Sequence, residues 1–329
     1  MNISIISFTA GGDVLNQRIS ECFPDDTVWQ NGKYLNQKRV SLSEWTAAAF
    51  GRSGLIIFVG AAGIAVRAVA PYASKKSTDP AVLVIDEGGR FVIPLLSGHI
   101  GGANAYAVLL AERLGAQAVI TTATDINGVF AVDTWAVNNG YAIENTEEIK
   151  SISGALLDGK TVYLSSDFKI NGELPGGIVQ GECGEIGICI SDSVKKPFRH
   201  TLNLIPKRYV IGAGSRKDAD EDALVELFNK LGINKKSTAA VATIDIKRNE
   251  KSVLKLAEYL GAELKLYTSE ELNLANGDFT GSEFVKSITG TDNVCERAAA
   301  LSGDRLIVKK TKGSGVTAAA SVIDWSVSF

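Results

Sequence analysis

Short apolar runs, polar turns carrying glycine, and segments of helical spacing follow one another along the whole 329-residue chain. Asn2 to Phe8 has the composition of a buried strand, and Val14 to Phe23 repeats apolar positions at helical spacing after a turn at Thr9–Asp13. Leu42 to Phe50 reads as a helix with Ser41 or Ser43 as its cap. Leu55 to Val59 is a strand, followed by Gly60-Ala61-Ala62-Gly63 and a helix from Ile64 to about Ala73. Ala81–Asp86 and Arg90–Pro94 are two strands joined by Glu87-Gly88-Gly89, a hairpin that makes the sheet mixed. Ala103–Leu114 is a helix, and Ala118–Thr121 a buried strand that ends in a polar turn.

The second half is patterned less evenly. A helix is expected over Thr146–Leu157 and a strand over Thr161–Leu164, then short glycine-rich strands up to Ile190. Ser193 to Pro206 holds two prolines and three basic residues with little periodicity, and reads as a linker. Beyond it the alternation restarts: strand at Tyr209–Ile211, helix from Asp218 to Leu231, strand at Ala239–Ile244, helix at Lys251–Leu260, strand at Leu264–Tyr267. A short helix starts at Ser269, another spans Val294–Leu301, and strands at Leu306–Lys309 and Val316–Val322 close the chain. The fold class expected is α/β: two three-layer domains with mixed, mostly parallel sheets, covering residues 1–200 and 201–329.

Composition narrows the classes of function. A net charge of −3 provides no global field for nucleic acid or an anionic membrane. The four cysteines (22, 183, 189 and 295) form no C-x-x-C pair, and only two histidines accompany them, so no protein metal site is expected. The thiols fit a reducing compartment. The chain opens on a strand without a charged leader, and its longest apolar run, Leu55 to Val66, is too short to span a bilayer, so a soluble cytoplasmic protein is expected.

One stretch gathers chemistry. Pro94 to Asn104 (PLLSGHIGGAN) leads from a strand through a glycine-rich turn into a helix, with His99 in its middle. Glycines allow backbone N–H groups to approach a ligand, and a helix start favours negative charge. A catalytic or anion-binding loop has this composition; so does a tight turn with its histidine bonded to backbone. Asp125 and Asp133 bracket a glycine turn at a strand end, where they can act as bases or cap the turn and the next helix. Arg67, Lys75, Lys76 and Arg90 in one half, and Lys309, Lys310 and Lys312 in the other, suit either a solvated face or a cleft for a polyanion. Gly212-x-Gly214 lacks the third glycine of a dinucleotide fingerprint, and no G-x-S-x-G elbow is present.

Taken together, Leu96-Ser97-Gly98-His99-x-Gly101-Gly102-Ala103-Asn104, Thr121-Thr122-Ala123-Thr124-Asp125-x-Asn127-Gly128 and Phe130-Ala131-Val132-Asp133 resemble the CbiG family of cobalamin biosynthesis. Val59 to Arg67 fits as well; Ala242 to Lys247, the helix start at Ser269 and Gly313 to Thr317 are similar to the family's C-terminal domain, which also occurs in a related protein of the aerobic pathway. Residues 145 to 200 are the loosest part. Where the family typically has cysteine after Gly-x-Gly, this chain has Ser215, which speaks against thiol chemistry there.

The resemblance implies cobalt-precorrin-5A hydrolase activity: water opens a δ-lactone on the macrocycle, and C20 leaves with its methyl group as acetaldehyde. It implies His99, Asp125 and Asp133 as catalytic residues. Substrate would be bound by Gly63, Arg67, Arg90, Ser97, Gly98, Gly101, Gly102, Asn104, Thr122, Asn127, Gly214, Lys247 and Lys312. No cofactor is expected, since cobalt belongs to the substrate and the conjugated ring can serve as electron sink. The partner is a tetrapyrrole held between two domains, with contacts to other pathway enzymes and self-association left open. A carrier that binds corrinoid intermediates without chemistry is the alternative; a nucleotide- or sugar-phosphate-binding enzyme is a weaker one.

Overall fold

Strands buried on both faces carry unbroken apolar runs, and the first sheet is built from them. A computed structural model describes residues 1–35, 40–74, 78–99 and 101–329; Lys75 and Lys76, expected in a basic loop, lie outside the described residues. By contacts the chain divides into Met1–Trp135 and Ala136–Phe329.

In the first unit the order is β1 (Asn2–Ser7), α1 (Ala10–Glu21), β2 (Thr27–Asn31), α2 (Leu42–Arg52), β3 (Leu55–Val59), α3 (Ala62–Val69), β4 (Ala81–Ile85), β5 (Phe91–Leu96), α4 (Ala103–Leu114), β6 (Gln117–Ala118), α5 (Ala123–Ile126) and α6 (Val132–Asn138), the last running across the division. The sheet order is β2-β1-β3-β4-β5-β6. β1 to β4 are mutually parallel, β5 is antiparallel to β4, and β6 is parallel to β5. Alternate residues feed two cores. Ile3, Ile5, Leu55, Ile57 and Leu83 face α1 and α4, whereas Ile6, Ile56, Phe58, Val82 and Val84 face α2 and α3. The turn between β4 and β5 is pinned by Asp86, whose carboxylate accepts the N–H groups of Arg90 and Phe91 at 2.7 Å each.

The second unit continues with β7 (Tyr141–Ile143), α7 (Glu148–Leu157), β8 (Val162–Ser166), β9 (Lys169–Asn171), β10 (Ile178–Gln180), β11 (Ile186–Ile190), β12 (His200–Pro206), β13 (Tyr209–Ser215), α8 (Ala223–Asn229) and β14 (Thr238–Ile244). Then come α9 (Lys251–Leu260), β15 (Glu263–Tyr267), α10 (Ser269–Asn273), α11 (Glu283–Thr289), α12 (Cys295–Ser302), β16 (Arg305–Lys312), β17 (Val316–Val322) and β18 (Ser326–Ser328). One sheet has the order β10-β8-β11-β12-β7, another β15-β14-β13-β17-β16, and β18 pairs with β9. The chain is thus mixed α/β with mostly parallel sheets, as its patterning indicated.

The expected linker is corrected. His200–Pro206 is a strand, parallel to β11 and antiparallel to β7, with six of its seven residues buried. It shows no alternation because both faces are covered, and its polar members are satisfied inside: Asn203 by Asn145, Thr201 by Phe198. The sequence grouped this middle region with the first half; by contacts its separate sheet belongs to the same unit as the C-terminal sheet. The chain end helps to hold it there, through β18 on β9 and through Trp325, which donates to Tyr141 Oη at 3.0 Å.

Candidate active site

Register decides which residues can meet. Leu96 pairs with Val82, so the turn after β5 lies at the amino end of β4 and at the carboxyl end of β5. β6 runs with β5, and Val119 continues it by donating to Val92 O at 2.9 Å. The segments that follow both strands therefore emerge at one edge of the sheet, the edge where the parallel strands β1 to β4 begin.

The turn itself is a hook. Ala103 N–H donates to Ser97 O at 3.1 Å, Asn104 N–H to Gly98 O at 3.0 Å, and Gly102 N–H to His99 O at 2.8 Å. Ser97 takes φ of +55° and Gly102 φ of +81°. A side chain at Gly101 would overlap the Cβ of Ser97, and one at Gly98 would come within 2.8 Å of Asn104 Oδ1. Ser97 Oγ donates to Asp79 O at 2.9 Å. These bonds occupy the N–H groups of residues 102 to 104 and leave those of Gly98, His99 and Gly101 without a backbone acceptor among the described residues.

His99 is lifted by this hook into a clamp of two carboxylates. Its Nδ1 lies 3.3 Å from Asp133 Oδ2, and its Nε2 lies 3.0 Å from Asp125 Oδ2 and 3.2 Å from Thr124 Oγ1. Thr124 and Asp125 are neighbours on the single turn of α5; Asp133 sits in the first turn of α6, where helix N–H groups favour an anion. The Asp133 hydrogen bond, opposed by burial and reinforced by Asp125, raises the imidazole from 6.5 to about 9. Burial pushes the Asp133 carboxyl up, but the His99 contact and backbone N–H groups outweigh it and hold the acid below its ordinary value. The Asp133 side chain is 9% exposed, whereas the Asp125 side chain is 36% exposed, so Asp125 is the carboxylate open to a ligand.

Asn104, 8% exposed, donates from Nδ2 to both Asp125 Oδ2 and Thr122 Oγ1 at 2.9 Å. Asn127 is exposed and donates to Ala123 O at 2.8 Å, closing the α5 turn. Thr124 was not singled out from the sequence; the signal was a hydroxyl directly before Asp125 in the Thr-Thr-Ala-Thr-Asp run.

Other expected binding residues lie elsewhere. Arg90 immediately precedes β5, roughly 23 Å along the strand direction from Ser97 at ~3.3 Å per residue. Its side chain pairs with Asp86 at 3.3 Å. Gly63 and Arg67 follow Val59, which pairs with Ile85 and so shares the Arg90 end; Arg67 Nη1 donates back to Gly63 O at 3.2 Å. The structure does not bring these three together with His99. In the C-terminal sheet, Gly214 and Lys312 are both opposite Thr317 and so share an edge. Lys247 follows β14 at the carboxyl edge of that sheet, with Nζ 3.1 Å from Glu250. The Ser215 hydroxyl is buried and finds no partner among the described residues.

Among the described residues, no three His, Cys, Asp or Glu side chains are arranged to hold a metal ion, and no helix is long and apolar enough to cross a membrane.

Comparison with known proteins places these features in context. The family model for cobalamin synthesis G N-terminal matches residues 44–125, that for the cobalamin biosynthesis central region 130–206, and that for cobalamin synthesis G C-terminus 209–321. His99 and Asp125 fall in the first match and Asp133 in the second. A cobalt-precorrin-5A hydrolase of Salmonella typhimurium is 32% identical, with 96% of either chain covered. One of Priestia megaterium is 29% identical over 83% of this chain and 79% of that protein. A crystal structure of a cobalamin biosynthesis protein G homologue from Sulfolobus solfataricus aligns with 98% of this chain and 97% of its own, at 25% identity and a TM-score of 0.43.

Proposed function

The chain belongs to the CbiG family of cobalamin biosynthesis, and on that premise we propose that it is a cobalt-precorrin-5A hydrolase whose chemistry is centred on His99. The observation that carries the siting is the clamp of one imidazole between Asp125 and Asp133, within the segments that match the family.

Hydrolysis of a δ-lactone needs a base for water, donors for the oxyanion and an acid for the leaving oxygen. With its proton held to about pH 9, His99 is a cation at neutral pH and serves as the acid. Asp125, the more exposed carboxylate, takes the proton of the attacking water. Asp133 keeps the ring charged and oriented. The N–H groups of Gly98, His99 and Gly101 are the donors available to the oxyanion. Opening leaves an alcohol on C20. Loss of its proton breaks the bond to the ring, and C20 and its methyl depart as acetaldehyde. The electron pair passes into the conjugated macrocycle and is reprotonated, so the reading requires no cofactor. Carboxylates of the substrate suit exposed cations such as Lys312.

Purified protein incubated with cobalt-precorrin-5A should release acetaldehyde, trapped as its hydrazone, in proportion to protein and time. Binding of the corrinoid with no acetaldehyde would replace the hydrolase with a carrier.

A further inference from the structure

Asp125 offers its two oxygens unequally. Oδ2 accepts from His99 Nε2 at 3.0 Å and from Asn104 Nδ2 at 2.9 Å, whereas Oδ1 has no hydrogen-bond partner among the described residues. Asn104 is itself held in place, because the same Nδ2 donates to Thr122 Oγ1 at 2.9 Å. At 8% exposure, and with its donors spent on protein, it has little left for a ligand. We infer that Asn104 is a positioning residue: it fixes the rotation of the Asp125 carboxylate, so that Oδ2 stays on His99 and Oδ1 is the oxygen presented to the attacking water. This rests on the hydrolase reading and assigns the residue a role other than substrate binding. It also gives Gly98 a reason, since a side chain there would displace the amide.

Asn104→Leu keeps the volume and removes the bonds. Asp125 then rotates freely and His99 loses one of its two carboxylates. Asp125 and Asp133 are the charged groups that act on the ring. The imidazole titration, followed by NMR against the single other histidine, should move below the wild-type midpoint of about 9 and remain above 6.5, because Asp133 stays in place. On cobalt-precorrin-5A, kcat should fall roughly 10- to 100-fold while KM changes little. Thr122→Val, nearly isosteric, should move both readouts the same way by less, and it decides the matter if Asn104→Leu does not fold. An unchanged midpoint with normal kcat in a folded variant would overturn the inference. So would a raised KM at constant kcat, which would mean direct contact with substrate. If the wild-type protein releases no acetaldehyde, the hydrolase reading fails, while the titration still tests Asn104.

Discussion

His99 has both ring nitrogens engaged by carboxylates, so its charge is part of the folded structure as well as of the proposed chemistry. A group whose pKa rises from 6.5 to about 9 on folding stabilises the native state most below pH 6.5 and loses that contribution as pH climbs through 9. With the side chain 19% exposed, the contribution is at most of order 3 kcal/mol, at ~1.4 kcal/mol per unit. Urea unfolding at a series of pH values should therefore show the wild-type protein losing stability relative to His99→Gln between about pH 6.5 and 9. Parallel pH dependence of the two would mean that the clamp contributes nothing to folding.

At the level of elements, the β5–α4 hook is what delivers His99, and its glycines are steric requirements. Gly101→Ala would drive a methyl into Ser97, whose carbonyl also comes within 2.9 Å. The hook should open at a cost of about 1–3 kcal/mol, with loss of acetaldehyde release and of the high His99 titration. A variant of normal stability and activity would show that the hook is dispensable. The strand–turn–helix course of this segment was legible because apolar, glycine and helical residues succeed one another. Its geometry was not, because the pairing of His99 with Asp125 and Asp133 depends on α5 and α6, each two turns or shorter and without an apolar period. The strand β12 was hidden for a related reason: a strand covered on both faces, with buried Thr201 and Asn203, has neither alternation nor a purely apolar run. The β18–β9 pairing joins segments far apart in sequence, which no local pattern could announce. The binding residues suffered similarly, since type alone grouped Arg67 and Arg90 with His99, and only the antiparallel turn of β5 sends them to the other end of the sheet.

For the molecule as a whole, a net charge of −3 leaves recognition of an acidic macrocycle to local cations. If Lys312 holds substrate carboxylates, Lys312→Ala should raise KM with kcat nearly constant, and added salt should reproduce that loss in the wild type, since exposed charges are screened beyond about 10 Å at 0.1 M. Insensitivity to both would leave Lys312 as a solvated surface residue. The central claim is that this chain hydrolyses its corrinoid through the His99 clamp. Its most direct test is acetaldehyde released at saturating cobalt-precorrin-5A by the wild-type protein and by His99→Ala of unchanged fold. The expected result is steady release by the wild type and a rate lower on the order of a hundredfold in the variant; equal rates, or no acetaldehyde from either, would contradict it.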